Sequence, residues 1–174
     1  LYKTKIGERE WLRVHDAAHR MGLPTNCTLL YGHIETYAER VDHVLKLRDQ
    51  QDTTGGFLAF IPLEYQLGTT NVVPRQASAI EDLRTLAMSR LVFDNIPHVK
   101  SYWVMLGEQT AEMGLHFGAS DLDGTIGVEK IAHAALAASA LGHPRERMIR
   151  MIRAAGKIPV ERDALYRELV VHAA

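Results

Sequence analysis

The chain has 174 residues, a net charge of −1 at pH 7, and 47% apolar and 24% charged residues. This composition is typical of one soluble globular domain, and the near-neutral charge excludes a basic footprint for nucleic acid or an anionic membrane. No apolar run approaches the ~20 residues of a membrane-spanning helix, and no signal-peptide pattern opens the sequence. A single cysteine excludes an internal disulfide and indicates a cytoplasmic protein. The first residue is Leu1 rather than methionine, so we expect a piece of a longer protein.

The first predicted element is a helix over residues 7–22, with apolar residues at helical spacing and a glycine at its end. It carries His15 and His19, whose spacing is similar to that of zinc metalloproteases. That motif requires a glutamate after the first histidine, and Asp16 is shorter. We therefore predict two solvent-facing histidines opposite the apolar stripe, with a zinc site as the alternative.

A buried strand is predicted over residues 26–31, and polar groups follow its carboxyl end. The apolar run closes at Gly32, and His33 and Glu35 come directly after it. In parallel α/β folds, ligands bind just beyond the carboxyl ends of the strands. His33 and Glu35 are therefore the first candidates for catalysis. The alternative is a brace for the turn, or an acid favoured by the dipole of the next helix. Tyr31 is either a binding residue or a packed aromatic.

The next helix begins at Thr36, where Glu39 completes a capping box, and is predicted to reach about Asp52. We expect Val41, Val44 and Leu45 to face inward and Arg40 to face solvent.

A second strand is predicted over residues 57–63, where the nearly continuous apolar sequence indicates cover on both faces. The long loop that follows is of the kind that usually forms a lid or a binding site. Its candidate binding residues are Thr70 and Asn71.

A helix capped by Ser78 is predicted next, and a strand over residues 99–106 follows it. A short helix over residues 108–114 then leads to the last strand, over residues 115–118. A polar turn comes next. The candidate site residues in this part of the chain are His116, Asp121, Asp123 and Thr125.

The C-terminal segment, about residues 128–171, is predicted to be helical, with helices to about residue 141 and over 144–155 and an amphipathic segment over 160–171. The order of one helix and then four strand–helix units predicts an α/β fold with a parallel sheet in a single domain over residues 1–174. This arrangement matches half of a closed (βα)8 barrel, and a self-contained open sheet is the alternative. We expect the strands over 57–63 and 99–106 to be central and those over 26–31 and 115–118 to be edges.

Several motifs resemble the radical S-adenosylmethionine enzymes of the futalosine menaquinone route and their deazaflavin-synthesis relatives. They are residues 31–36 (Tyr-Gly-His-Ile-Glu-Thr), 54–57, 60–63 and 94–98. Within that group, residues 115–125 look most like aminofutalosine synthase, and residues 158–163 are similar to that family's C-terminus. Dehypoxanthine futalosine cyclase and FO synthase are the related alternatives.

One feature departs from the family pattern. These enzymes hold a [4Fe-4S] cluster with a Cys-x₃-Cys-x₂-Cys loop near the N-terminus, whereas this chain has only Cys27. A single thiol cannot anchor such a cluster. The chain therefore resembles the C-terminal half of such an enzyme, and the implied partner is the missing N-terminal half-barrel. Unpaired strand edges also predict a homo-oligomer, most simply a two-fold dimer.

The resemblance implies a complete enzyme that uses S-adenosylmethionine and a [4Fe-4S] cluster. The cluster ligands are absent from this chain, and no metal-binding residue is expected in it. The complete enzyme would add a 5′-deoxyadenosyl radical to 3-[(1-carboxyvinyl)oxy]benzoate and so give aminofutalosine, while this chain alone would be inactive. The protein would position the cofactor and exclude water. The implied cofactor-binding residues are Tyr31, His33, Glu35, Ile61 and Pro62, and the substrate-binding residues are Thr70, Asn71, His116, Asp121, Asp123 and Thr125.

Two functions from other classes remain open. One is a metal-dependent hydrolase with His33, His116 and Asp121 as ligands at strand ends. The other is a non-catalytic half-barrel that serves as a binding or assembly module.

Overall fold

A computed structural model describes residues 4–68, 72–124, 130–134, 136–137 and 139–173. The helices are α1 (Glu8–Arg20), α2 (Tyr37–Thr54), α3 (Ala79–Val92), α4 (Trp103–Leu106), α5 (Glu108–Gly114), α6 (Ile131–Ala134) and α7 (Arg145–Ala154). The strands are β1 (Thr25–Tyr31), β2 (Phe57–Glu64), β3 (His98–Val99), β4 (Val160–Arg162) and β5 (Glu168–Val171). None of these described helices is long and apolar enough to cross a membrane.

The mixed α/β fold that the sequence predicts is confirmed: β1, β2 and β3 form a parallel sheet in that order. Tyr31 lies opposite Glu64 at the carboxyl ends of β1 and β2. Beyond β3, Lys100 forms a parallel bridge with Asp121, and the Ser101 amide donates to the Asp121 carbonyl at 2.7 Å. The chain around Asp121 therefore occupies the position beside β3 where a fourth strand would lie.

Helices α2 and α3 cover one face of this sheet. The buried residues of β1 alternate with half-buried ones, and Tyr31 reaches Asp82 of α3 on the covered side. The other side is called the open face; it carries Thr28, Leu30, Ile61, Leu63, His98 and Lys100. The expectation that residues 57–63 are covered on both faces fails for Ile61 and Leu63, which are only half-buried, although Ala59 on the same side is fully buried.

The predicted helix ends are confirmed for α2 and α3. The Thr36 hydroxyl accepts from the Glu39 amide, and the Glu39 carboxylate accepts from the Thr36 amide, which makes a capping box. Gly55 ends α2 in the left-handed region at φ 64°, and the Ser78 hydroxyl caps α3. These local signals placed both helices correctly because each satisfies backbone groups that a helix end leaves free.

The inward face of α2 differs from the prediction. Arg40 is 5% exposed, whereas Val41 and Leu45 are 39% and 43% exposed. The buried side of the helix instead runs through Arg40, Val44 and Leu47. A charged residue can lie inward here because its guanidinium meets two carboxylates, described below.

The prediction that His15 and His19 face solvent is also wrong. Both rings pack on Phe57, at centroid distances of 5.2 and 4.8 Å. The Thr25 hydroxyl lies 2.8 Å from a ring nitrogen of each histidine, and the Thr54 hydroxyl lies 2.6 Å from His19. Two threonine hydroxyls therefore satisfy the imidazoles and dock α1 on the sheet.

Two predicted strands are wrong. Of the strand expected over 99–106, only Val99 belongs to β3, and Trp103–Leu106 is helical. Trp103, Val104 and Leu106 are all buried, and such an apolar run reads as strand or helix equally well. Residues 115–118, expected as a strand, instead continue α5 as turns, with the Phe117 amide bonded to the Gly114 carbonyl at 2.9 Å.

The C-terminal prediction is correct in one part and wrong in another. The helix expected over 144–155 is confirmed as α7. The amphipathic segment over 160–171, predicted as part of a helical tail, is an antiparallel hairpin of β4 and β5. The Asp163 carboxylate accepts from the Leu165 and Arg167 amides and so sets the turn between the two strands. Of the helix expected to reach residue 141, Ile131–Ala134 is the described part.

Candidate functional site

The carboxyl end of β1 forms a turn that is closed by Glu35. One carboxylate oxygen accepts from the Gly32 amide at 2.7 Å, and the other accepts from the His33 amide at 2.9 Å. Gly32 has φ 84°, and a side-chain carbon there would lie 3.2 Å from Cβ of Ala77. A glycine is therefore needed both for the left-handed turn and for the close approach.

Arg40 links this turn to the covered side of the sheet. Its guanidinium lies 2.6 Å from Glu35 and 2.6 Å from Glu81 of α3, and its centre is 5.1 Å from the centroid of the Tyr31 ring. Burial opposes the charge on Glu35, but the backbone N–H groups and Arg40 outweigh it and hold its pKa below the ordinary value. Glu35 is thus a fixed carboxylate at neutral pH.

Two further carboxyl groups lie beneath the strand ends. Glu64 ends β2 and is 4% exposed, and Asp82 of α3 is 3% exposed. The Tyr31 hydroxyl donates to Asp82 at 2.8 Å. Burial, together with the charge of Asp82, raises the pKa of Glu64 to about 7, and burial raises the pKa of Asp82 to about 6. Glu64 can therefore gain or lose a proton near neutral pH.

Amide side chains hold Glu64 in place. Gln66 and Gln76 donate to the same Glu64 oxygen, at 3.2 and 3.0 Å. Gln66 also donates to the Met105 carbonyl at 3.2 Å, which ties the end of β2 to α4. We call Tyr31, Glu35, Arg40, Glu64 and Asp82 the strand-end cluster.

A second polar group lies on and beside the open face; we call it the polar strip. It comprises His98, Lys100, Asp121 and Asp123. Lys100 forms an ion pair with Asp123, and Arg162 of β4 forms one with Asp121. Burial opposes the charge on Lys100, but Asp123 outweighs it and raises the lysine pKa. Lys100, Asp121 and Asp123 of the strip and the C-terminal hairpin line part of a cleft of about 870 Å³.

His98 is the uncharged member of the strip. Burial, followed by the charges of Arg162, Arg90 and Lys100, lowers its pKa to about 4. The neutral ring can accept from the Arg162 guanidinium, which lies 3.0 Å from its Nδ1 atom. The histidine therefore serves here as an acceptor rather than a cation.

The structure brings some predicted site residues together and separates others. Tyr31, His33 and Glu35 share the end of β1, while Asp121 and Asp123 share the polar strip. Ile61 lies on the open face, and its neighbour Pro62 faces the helices. His116 is exposed in the turn after α5. Thr70, Asn71 and Thr125 lie outside the described residues.

The geometry gives no support to a metal centre. Among the residues described, no three histidine, cysteine or carboxylate side chains converge as metal ligands, and His33, His116 and Asp121 are no exception. Cys27 is fully buried, its Sγ atom lies 3.7 Å from the Ala59 carbonyl, and burial raises its pKa well above the ordinary range. It is a packed thiol of the covered face.

The sequence interpretation missed Arg40, Glu64 and Asp82. The rule that identified His33 and Glu35 could also have identified Glu64, because it ends the next strand. An arginine or an aspartate in the first turns of a helix carries no comparable signal. Only the packing of α2 and α3 on the sheet shows that these two side chains converge on Tyr31.

Comparison with known proteins agrees with the motif resemblance. Residues 54–173 match the family model described as the CofH/MqnC C-terminal region. The chain is 46% identical over 175 residues to an aminodeoxyfutalosine synthase of Thermus thermophilus. The alignment covers 97% of this chain and 47% of that protein.

Two relatives from Streptomyces coelicolor are also similar. An aminodeoxyfutalosine synthase is 47% identical over 172 residues, with 90% of this chain and 44% of that protein covered. A cyclic dehypoxanthine futalosine synthase is 40% identical over 167 residues, with 95% and 41% covered. The chain spans about half the length of the curated relatives it matches. The match across most of the chain and the order of its motifs show that this protein belongs to the CofH/MqnC C-terminal family.

Proposed function

We propose that this chain is the C-terminal half of a radical S-adenosylmethionine enzyme that makes aminodeoxyfutalosine for menaquinone biosynthesis. The observation that carries the proposal is the identity of 46% and 47% to two proteins named aminodeoxyfutalosine synthase, over 97% and 90% of this chain. The relative named cyclic dehypoxanthine futalosine synthase is less similar, at 40%. The substrate we propose is 3-[(1-carboxyvinyl)oxy]benzoate.

The fold supports a half-barrel with four strand positions. β1, β2 and β3 are parallel, and the chain at Asp121 takes the fourth position. In a (βα)8 barrel the inward residues of all strands fill the interior in layers. Leu30, Ile61 and Leu63 of the open face are half-buried. We propose that they meet the strands of an N-terminal half, which is the partner of this chain.

The two cofactors of the family place different demands on this chain. A [4Fe-4S] cluster needs several thiolates, and the single buried cysteine does not fit that need, so its ligands would belong to the N-terminal half. S-adenosylmethionine carries an amino-acid end and ribose hydroxyls, which suit the polar groups at the β1 end. When bound, the two cofactors supply the radical chemistry.

The residues at the strand ends then have distinct roles. Glu35 already accepts from two amides and Arg40, so it holds the turn in place. The His33 side chain keeps 14% of its surface exposed, and we assign it the contact with cofactor or substrate. Glu64 can take up or release a proton near neutral pH at the neighbouring strand end, in an environment from which water is largely excluded.

A chimera tests this proposal directly. The first half of the Thermus thermophilus relative is joined to this chain, reconstituted with iron and sulfide under anaerobic reducing conditions, and assayed with S-adenosylmethionine and 3-[(1-carboxyvinyl)oxy]benzoate. We expect mass spectrometry to detect aminodeoxyfutalosine, with the parent enzyme as positive control. A folded, cluster-containing chimera that makes no such product would overturn the assignment.

The same chimera tests the strand-end residues. We expect His33→Ala and Glu35→Gln to lower turnover far more than they lower the urea midpoint, because Arg40 keeps Glu81 as a partner in the second variant. Glu10→Gln, at an exposed position on α1, is the matched control. Normal turnover in both variants would show that the turn is only a brace.

A further inference from the structure

The C-terminal hairpin is attached to the body with little apolar packing. All four residues of β5 are exposed, including Leu169 at 64% and Val171 at 54%. A hairpin whose apolar side chains face solvent gains little from burial. Its position must therefore depend on its polar and aromatic contacts.

Arg162 and Tyr166 make such contacts with the polar strip, and Glu161 of β4 forms an ion pair with Arg145 of α7. The Arg162 guanidinium pairs with Asp121 and lies 3.0 Å from Nδ1 of His98. The Tyr166 ring stacks on the His98 ring, with centroids 4.3 Å apart and planes inclined by 14°. The Arg162 guanidinium lies 4.8 Å from the Tyr166 centroid, and the Lys100 ammonium lies 5.6 Å from it. One aromatic ring is thus held by a stacked imidazole and two cations.

The backbone at Tyr166 is strained, which makes these contacts informative. Tyr166 has φ 64° and Asp123 has φ 67°, in the left-handed region that side chains other than glycine rarely adopt. Such conformations persist only where the surroundings hold them. Tyr166 and Asp123 are two of the three non-glycine residues with positive φ in the described part of the chain, and both converge on Lys100.

We propose that the hairpin is a latch that sets the position of the polar strip, with Tyr166 as the positioning residue for Lys100. The latch itself is a property of this chain. Its consequence for catalysis rests on the proposed function, because the open face would then line the interior of a complete barrel. There the latch would hold the cation of Lys100 at a fixed place beside the cleft, where it can meet the carboxylates of the substrate.

Because the backbone at Tyr166 is left-handed, the two roles of Tyr166 predict opposite changes in hydrogen exchange when it is replaced by glycine. If Tyr166 only fills a turn, Tyr166→Gly relieves strain and leaves hydrogen exchange in the hairpin unchanged or slower. If Tyr166 is the latch, the same change removes the stack. We then expect roughly tenfold faster exchange of the hairpin amides and of the Ser101 amide, which donates to Asp121.

Controls separate the latch from general loosening. Tyr166→Phe keeps the ring and should retain the protection, and Leu165→Gly adds flexibility to the same exposed turn without removing a contact with the strip. The amides of β1 report whether the sheet remains folded. Arg162→Met is a second variant, to be used if Tyr166→Gly fails to fold. It removes the Arg162 contacts with the strip and should also loosen the hairpin.

A second readout reports on Lys100 itself. An amine-acylating reagent, followed by mass spectrometry, should modify Lys100 several-fold faster in Tyr166→Gly than in the wild type, while the half-exposed Lys46 is unchanged. Unchanged exchange and labelling in Tyr166→Gly, or an equal loss in Leu165→Gly, would overturn the latch. Both measurements use this chain without substrate, so a failed chimera assay would leave their outcome intact.

Discussion

Glu64→Gln should stabilise this protein in a strongly pH-dependent way. Glu64 is 4% exposed, and its pKa is raised from the ordinary 4.5 to about 7. Folding therefore favours the protonated carboxyl. The contribution of Glu64 to stability is fully present below pH 4.5 and is lost as the pH rises through 7. Glutamine resembles the protonated form and cannot ionise, so the variant avoids this loss.

The structure allows the substitution without loss of the existing contacts. Gln66 and Gln76 both donate to one oxygen of Glu64, so the single carbonyl oxygen of glutamine can accept both bonds. At about 1.4 kcal/mol per pKa unit, the shift corresponds to an upper bound of about 3 kcal/mol above pH 7. Since Asp82 contributes part of the shift, we expect about 2 kcal/mol at pH 8 and little difference near pH 5.

Urea unfolding of both proteins at several pH values between 5 and 8 measures this difference. Glu10→Gln, at an exposed position, should change the free energy of unfolding by a small amount that does not vary with pH. If Glu64→Gln gave the same difference at pH 5 and pH 8, or were less stable at pH 8, the argument from burial would be wrong.

Three further predictions concern packing, metal binding and assembly. At Gly56 an added side-chain carbon would lie 2.2 Å from the His19 ring. Gly56→Ala should therefore lower the free energy of unfolding by about 1–3 kcal/mol, and His19→Ala in the same chain should make that change nearly neutral in urea titrations. Anaerobic reconstitution of this chain should give no stable four-iron centre, because Cys27 is the only cysteine; a stoichiometric cluster with visible iron–sulfur absorption would contradict this. The chain alone should self-associate through its open face and strand edges, and a clean monomer in sedimentation at micromolar concentration would count against the half-barrel.

The part of the fold that was predicted correctly is the part encoded by local signals. Thr36 and Glu39 mark the start of α2 because their side chains accept hydrogen bonds from free backbone N–H groups there. Gly55 marks its end because glycine readily adopts the left-handed conformation. The apolar runs of β1 and β2 were equally clear. The run after Val99 was not, since consecutive buried residues suit a short helix as well as a strand.

The candidate site divides in the same way. His33 and Glu35 were identified from sequence because they directly follow a buried strand, and the family was identified from motifs of several residues in order. Arg40 was assigned to the solvent side of α2 because a charge is costly to bury unless it is paired. Its partners Glu35 and Glu81 lie on different elements, and only their packing makes burial possible.

Sequence alone was therefore enough for the helix caps, the first two strands, the polar turn after β1 and the family, since each depends on residues close together in the chain. Tertiary structure decided which face of the sheet is open, which carboxyl groups have raised pKa values and where the C-terminal hairpin lies. Those properties depend on burial and on charges brought together by the fold. Glu64 and Asp82 are 18 residues apart in sequence, yet both are buried and burial raises the pKa of each.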